Sequence, residues 1–222
     1  MAVSTAIAVA ESISFYFIKT NLDLSKGVHQ LCYPRDNSMA TTNYHFIDRW
    51  RVQGNVKEVA DILEDPLGLP RWWPSVYFDV KELEGGGEHG IGRLIRLRAA
   101  GWLPYTLRID FRTVESRYPH GFSMKATGDL EGIGVWTFEQ DGDCVNITYD
   151  WTINANKAII RRLSFLLKPI FRSNHNWTMR RGEESLILEL ARRRAPTAQE
   201  AALIPAPPGP AFPHNLFRRK RA

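Results

Sequence analysis

Between residues 44 and 153 apolar and polar side chains repeatedly alternate, the period of a strand with one face buried. Tyr44 to Val52 puts Phe46, Trp50 and Val52 on one face, and Asp48 shares their parity. Tyr105, Leu107, Ile109 and Phe111 share another such face, as do Val145, Ile147, Tyr149, Trp151 and Ile153. Later strands are expected at about 76–84, 91–99, 104–116, 120–130, 132–140 and 144–153. Hairpin turns fall at Glu84-Gly85-Gly86-Gly87 and Asp141-Gly142-Asp143. The period changes twice. After the first strand Asn55 caps a short helix, Val56 to Glu64, stopped by Pro66, and a second helical turn covers Leu67 to Trp72 before Pro74. Near the end Asn156 or Ala158 opens helix, Pro169 should end that segment, and a final helix covers about 170–193.

The final helix carries a stripe of Phe171, His175, Met179 (or Thr178), Gly182, Leu186 and Leu190, three to four residues apart. A helix packed flush on a sheet would carry bulky aliphatics throughout. An imidazole and a glycine on the inner face point instead to space beneath it. At about 24 residues and about 36 Å this helix is long enough to cover the apolar face of an antiparallel sheet. The class is therefore α+β: about seven antiparallel strands, two short helices after the first, and one long helix as cover.

Composition changes this picture mainly at the ends. The chain has 222 residues, a net charge of +5 and a pI near 9.3. The charge is localised: in 192–222 Arg192, Arg193, Arg194, Arg218, Arg219, Lys220 and Arg221 face only Glu200, a net of +6. Residues 1–38 balance Lys19, Lys26 and Arg35 against Glu11, Asp23 and Asp36, so 39–191 carries −1. A basic tail, not a basic domain, sets the pI, and specific nucleic-acid binding is not expected. Six prolines between Pro196 and Pro213 make 195–222 read as a disordered, basic linker in weak contact with anionic surfaces. Residues 1–38 show no sustained period and read as an upstream-start artefact or a loose extension, with Met39 as the expected natural start. Met1 to Ala10 is apolar but has no basic leader, so it is not read as a signal peptide, and no apolar run approaches membrane-spanning length. Cys32 and Cys144 make no disulfide framework, which fits a reducing, cytoplasmic setting.

Several chemistries are missing. Histidines 29, 45, 89, 120, 175 and 214 show no metal-ligand spacing, and there is no Cys-x-x-Cys or Gly-x-Ser-x-Gly. Gly85-Gly86-Gly87 joins two strands and does not open a helix, so it is no phosphate cradle. Neither metal nor cofactor is expected.

The order of elements, together with Trp50-Arg51-Val52, Leu69-Pro70-Arg71-Trp72-Trp73-Pro74-Ser75-Val76, Leu103-Pro104-Tyr105, Gly128 to Trp136, Val145 to Trp151 and Phe171 to Gly182, resembles the START / polyketide-cyclase-like (SRPBCC) superfamily. The likeness covers roughly 43–192, so the domain is drawn at 39–194. It implies a helix-grip fold, a curved antiparallel sheet wrapped around the C-terminal helix, enclosing an apolar cavity. Members bind lipids, sterols, polyketides, quinones or hormones. The implied function is binding of a small hydrophobic molecule by a monomer or weak dimer acting as a carrier. The alternatives are a polyketide cyclase or dehydratase using the same cavity, and an interaction module working through its tails.

The residues expected to face the ligand are Phe46, Asp48, Trp50, Trp73, Arg96, Tyr105, Leu107, Ile109, Phe111, Trp136, Phe138, Tyr149, Trp151, Phe171, His175, Met179 and Gly182. His175 is the candidate for proton transfer, since an imidazole titrates near neutrality. A core imidazole satisfied by a strand carbonyl or by Asn174 is the plainer alternative. Asp48, if inward, needs a partner, and Arg96 or Tyr149 could supply one. Tandem Trp72 and Trp73 either plug the loop between Pro70 and Pro74 or line the cavity mouth. Gly132 and Gly134, on one face with Trp136 and Phe138, taper the interior or let the strand bend. Arg161, Arg162, Arg180 and Arg181 border apolar helix faces, as solvated side chains or as contacts to acidic lipid.

Overall fold

The computed structural model describes residues 43–155, 158–212 and 214. The N-terminal extension 1–38, the side chains of Arg161 and Arg162, and the terminal run Arg218 to Arg221 lie outside the described residues.

Seven strands form one antiparallel sheet: β1 (Asn43–Gln53), β2 (Tyr77–Glu84), β3 (Leu94–Ala99), β4 (Leu107–Ser116), β5 (Gly121–Gly128), β6 (Leu130–Asp141) and β7 (Cys144–Ala155). Their order in space is β1-β7-β6-β5-β4-β3-β2. The first two strands are thus the two outermost, and the chain crosses from one to the other through α1 (Val56–Leu63) and the short α2 (Leu69–Trp72). A capping box opens α1: Asn55 Oδ1 accepts the Glu58 N–H at 3.0 Å, and Glu58 Oε2 accepts the Asn55 N–H at 3.0 Å. Val59, Ala60, Ile62 and Leu63 are its buried face.

The alternation read from the sequence sets the inner face. On β7 Val145, Ile147, Tyr149, Trp151 and Ile153 are buried while Thr152 and Asn154 are exposed. On β1 Tyr44, Phe46, Asp48, Trp50 and Val52 point inward and the residues between them are exposed. The sheet curves, and register shifts interrupt β2 and β4. Gly142 turns β6 into β7 at φ +58°, where a side chain would be strained.

The cover is α3 (Ala158–Arg194), continuous through Pro169. The expected break at Pro169 is absent. Lys168, Pro169 and Ile170 are all exposed, so the proline ring sits on the solvent side of the helix. Met179, Gly182, Leu186 and Leu190 are buried along the predicted stripe. Within the segment read as a linker, Ala198–Leu203 form a fourth helix, α4, and Arg192 Nη2 donates to the Pro205 carbonyl at 2.9 Å. His214 Nε2 donates to the Leu103 carbonyl at 2.7 Å, and its ring meets that of Phe78. No helix among the described residues is long and apolar enough to cross a membrane.

Candidate functional site: a cavity in two lobes

The space between sheet and α3 is not filled. A lobe of about 150 Å3 is bounded by Tyr44, Phe46, Ala100, Gly101, Tyr105, Leu107, Ile109, Trp151, Phe171 and His175, among others. A second lobe, of about 90 Å3, lies against Leu63, Glu64, Pro66, His89, Arg93, Thr113, Phe122, Met124 and Trp136. Trp73, Tyr77, Leu97, Phe111, Tyr149 and Met179 face both lobes. These six form the waist that the two lobes share. An apolar cavity of about 150 Å3 suffices for a guest the size of benzene, whereas one buried water needs only about 10–15 Å3.

Most residues read as ligand-facing do line this space: Phe46, Trp73, Tyr105, Leu107, Ile109, Phe111, Trp136, Tyr149, Trp151, Phe171, His175 and Met179. Trp50 and Phe138 stand behind the wall, Trp50 against Trp73 and Trp136, Phe138 against Phe122. Gly182 lies beneath Trp73, where a Cβ would come within 2.3 Å of the indole. Trp73 is both plug and lining: 3 % exposed, it packs on Trp50, Trp72 and Tyr77 and faces both lobes. Gly134 serves as clearance, since its Cβ would meet Trp151 and the Tyr149 hydroxyl at 2.9 Å.

Arg96 must be corrected. It points outward, 56 % exposed, and clasps Asp110 through two bonds of 2.8 Å on the outer face of β3 and β4. Ile95, Leu97 and Ala99 take the inner positions, as the apolar alternation of that strand requires. Asp48 is inward, but its partner is neither Arg96 nor Tyr149. Its Oδ2 lies 2.7 Å from His175 Nε2, both side chains being about one-sixth exposed (16 % and 14 %). A carboxylate oxygen accepts, so Nε2 is the donor. Phe46 stacks on the imidazole at 4.0 Å and fixes its plane.

Asn174, the neighbour of His175 on α3, holds the adjoining loop. Its Oδ1 accepts the Leu103 N–H at 3.0 Å, and Gly101 makes room for the amide, because a Cβ there would lie 2.2 Å from Oδ1. Loop 100–105, part of the larger lobe, is thereby tied to α3. Asn174→Ala should cost about 1 kcal/mol and increase amide exchange across residues 101–105; protection equal to wild type would show that the loop is held by other means.

Burial pushes the waist phenols up: Tyr77 to about 12, Tyr149 well beyond its ordinary value, with Tyr105 in the larger lobe also at about 12. They stay neutral at ordinary pH. The exceptional group is Glu64 in the smaller lobe. Burial first, then the charge of Asp61, push its carboxyl up to about 7, against an opposing pull from Arg93. Nothing in the hydrophobic pattern singled out Glu64, His89 or Arg93, which reach the lobe from separate connections. Tyr77 and Leu97 could have been found by extending strand parity to β2 and β3.

Among the described residues no cluster of His, Cys, Asp and Glu is suited to hold a metal ion. No family profile and no curated protein matches the chain. Solved structures do match in fold. TTHA0849 from Thermus thermophilus superposes with a TM-score of 0.56 at 14 % identity, over 68 % of this chain and all of that one. The di-domain ARO/CYC BexL of the BE-7585A biosynthetic pathway gives 0.54 at 16 %, over 66 % of this chain and 49 % of that chain. The Zhui aromatase/cyclase from Streptomyces sp. R1128 gives 0.52 at 16 %, over 70 % and 98 %. The chain therefore shares the fold of these structures, a curved antiparallel sheet covered by a long C-terminal helix.

Proposed function

We propose that this protein binds a small, largely apolar molecule in the two-lobed cavity and acts as its carrier. The supporting observation is the unfilled interior itself, walled by aromatic and aliphatic side chains, six of which line both lobes. Each Å2 of apolar ligand surface removed from water contributes about 25 cal/mol, and the neutral Tyr77, Tyr105 and Tyr149 hydroxyls offer orientation without charge. Aromatase/cyclases of the same fold lend the reading plausibility, but at 16 % identity they lend no substrate.

A second reading rests on one feature, His175 in the wall of the larger lobe with Asp48 on its Nε2. A carboxylate that orients an imidazole is the arrangement a proton-transfer catalyst needs, and proximity inside the cavity would supply much of the acceleration in a cyclase or dehydratase.

Native mass spectrometry of protein from its own host should reveal a co-purified apolar molecule. Extraction and return of that molecule should raise stability by about 2.7 kcal/mol at a hundredfold excess over Kd. His175→Ala should leave its affinity within about threefold if the protein is a carrier. Loss of product with binding retained would favour catalysis. Protein that arrives empty and takes up no apolar probe would end both readings.

A further inference from the structure

The smaller lobe contains a group the apolar-cavity reading does not use. Glu64 closes α1 as its C-cap and lines this lobe, and its Oε1 is buried with no hydrogen-bond partner among the described residues. The position is poor for a charged carboxylate on three counts: burial, the negative end of the α1 dipole, and Asp61 one turn earlier on the helix. An acid placed there for packing alone would be replaced by leucine or glutamine at a gain in stability. The other polar groups of this lobe converge on the same end. His89, from the turn after β2, also lines it and is held in a left-handed conformation (φ 47°) with its ring stacked 4.4 Å from Tyr118. Strain of that kind in a non-glycine residue gathers at sites with a task. Arg93, just before β3, lines the lobe too, and its charge is answered by Glu82 at 3.2 Å. A free anion is thus poorly served, and a cation would meet Arg93.

Resting on the cavity-binding reading, we propose that Glu64 is the recognition group for a carbonyl oxygen, ketone or quinone, of a ligand seated in the smaller lobe, to which its carboxyl O–H donates a hydrogen bond. The apolar body of the ligand then lies in the waist among Trp73, Phe111 and Tyr149. The groups around the acid are Asp61 and Asp65 on its own segment, Arg93 with Glu82 behind it, and His89 with Tyr118 behind it. Because the carbonyl needs the protonated acid, binding weakens as pH rises through about 7, where Glu64 ionises.

The test uses the full-length chain and two probes of similar size, 2-acetylnaphthalene and 2-ethylnaphthalene, titrated by fluorescence between pH 6 and pH 8. Wild type should prefer the ketone by about tenfold at pH 6 and about twofold at pH 8, with 2-ethylnaphthalene affinity constant. Glu64→Leu should remove the preference at both pH values while keeping 2-ethylnaphthalene. Glu64→Gln, which retains an N–H donor, should keep a severalfold preference that no longer changes with pH. A ketone preference that survives Glu64→Leu, or that is absent from wild type while 2-ethylnaphthalene binds, overturns the assignment of Glu64 alone. Failure of wild type to take up either probe overturns the cavity-binding reading and this assignment with it.

Discussion

Gly182→Leu is expected to lower stability by about 3 kcal/mol and to suppress uptake of any apolar probe. A Cβ at this point of α3 would lie 2.3, 2.6 and 2.7 Å from three carbons of the Trp73 indole. That ring is boxed by Trp50, Trp72 and Tyr77, with centroids 5.6, 5.4 and 5.1 Å away. Relief can come in only two ways. The indole tips into the lobes it lines and fills them, or α3 lifts and strains the Asp48–His175 and Asn174–Leu103 contacts that fasten it. Overpacking of this kind costs about 1–3 kcal/mol, sometimes more. Replacing glycine inside a helix returns up to about 1 kcal/mol in propensity, so alanine should be milder than leucine. Denaturant midpoints at unchanged m-value would give the stability, and probe fluorescence the uptake. A Gly182→Leu protein with wild-type midpoint and wild-type uptake would mean that helix and indole are not seated as described.

The same glycine shows what the sequence could and could not reveal. Its membership of an inward stripe with Phe171, His175 and Met179 follows from helical period alone, and so does the space near it. What fills the notch does not: Trp73 is 109 positions earlier, and no local period links a loop indole to a helix glycine. Strand parity placed the aromatic wall for a similar reason, since a one-residue slip would have turned every ring outward. The outward place of Arg96 is legible in the sequence, because Ile95, Leu97 and Ala99 alternate with it and leave it only the outer face. Pro169 misled in the other direction, a local rule overridden at an exposed turn of a long helix. Pairings such as Asp48 with His175, 127 positions apart, need the sheet register and the helix position together.

Glu189→Ala is the other substitution with a large expected effect, and it acts on the fold away from the cavity. This carboxylate is 1 % exposed, yet it accepts four hydrogen bonds: two from Arg71 at 2.8 Å, one from Arg193 at 2.8 Å and one from Arg192 at 3.2 Å. It thereby ties the start of the Trp72-Trp73 segment to the last turns of α3, beside the Arg194–Glu58 pair that joins α3 to α1. Breaking a buried pair costs about 3–5 kcal/mol when the stranded charge stays buried. Here the stranded groups are arginines 54 %, 24 % and 37 % exposed, which can turn to water, so about 3 kcal/mol is expected. The pH dependence sharpens the test. Burial alone would raise the Glu189 carboxyl, but the hydrogen bonds from Arg71 and Arg193 outweigh it and hold the group below its ordinary 4.5. A depressed carboxylate contributes stability that is present above about pH 4.5 and is lost as pH falls through the lower folded-state value. The gap between wild type and Glu189→Ala should therefore be full at pH 7 and narrow towards pH 3. Glu189→Gln, isosteric and uncharged, should fall between them. A gap that stays constant from pH 7 to pH 3 would show that packing, not the arginine cluster, sets the role of Glu189.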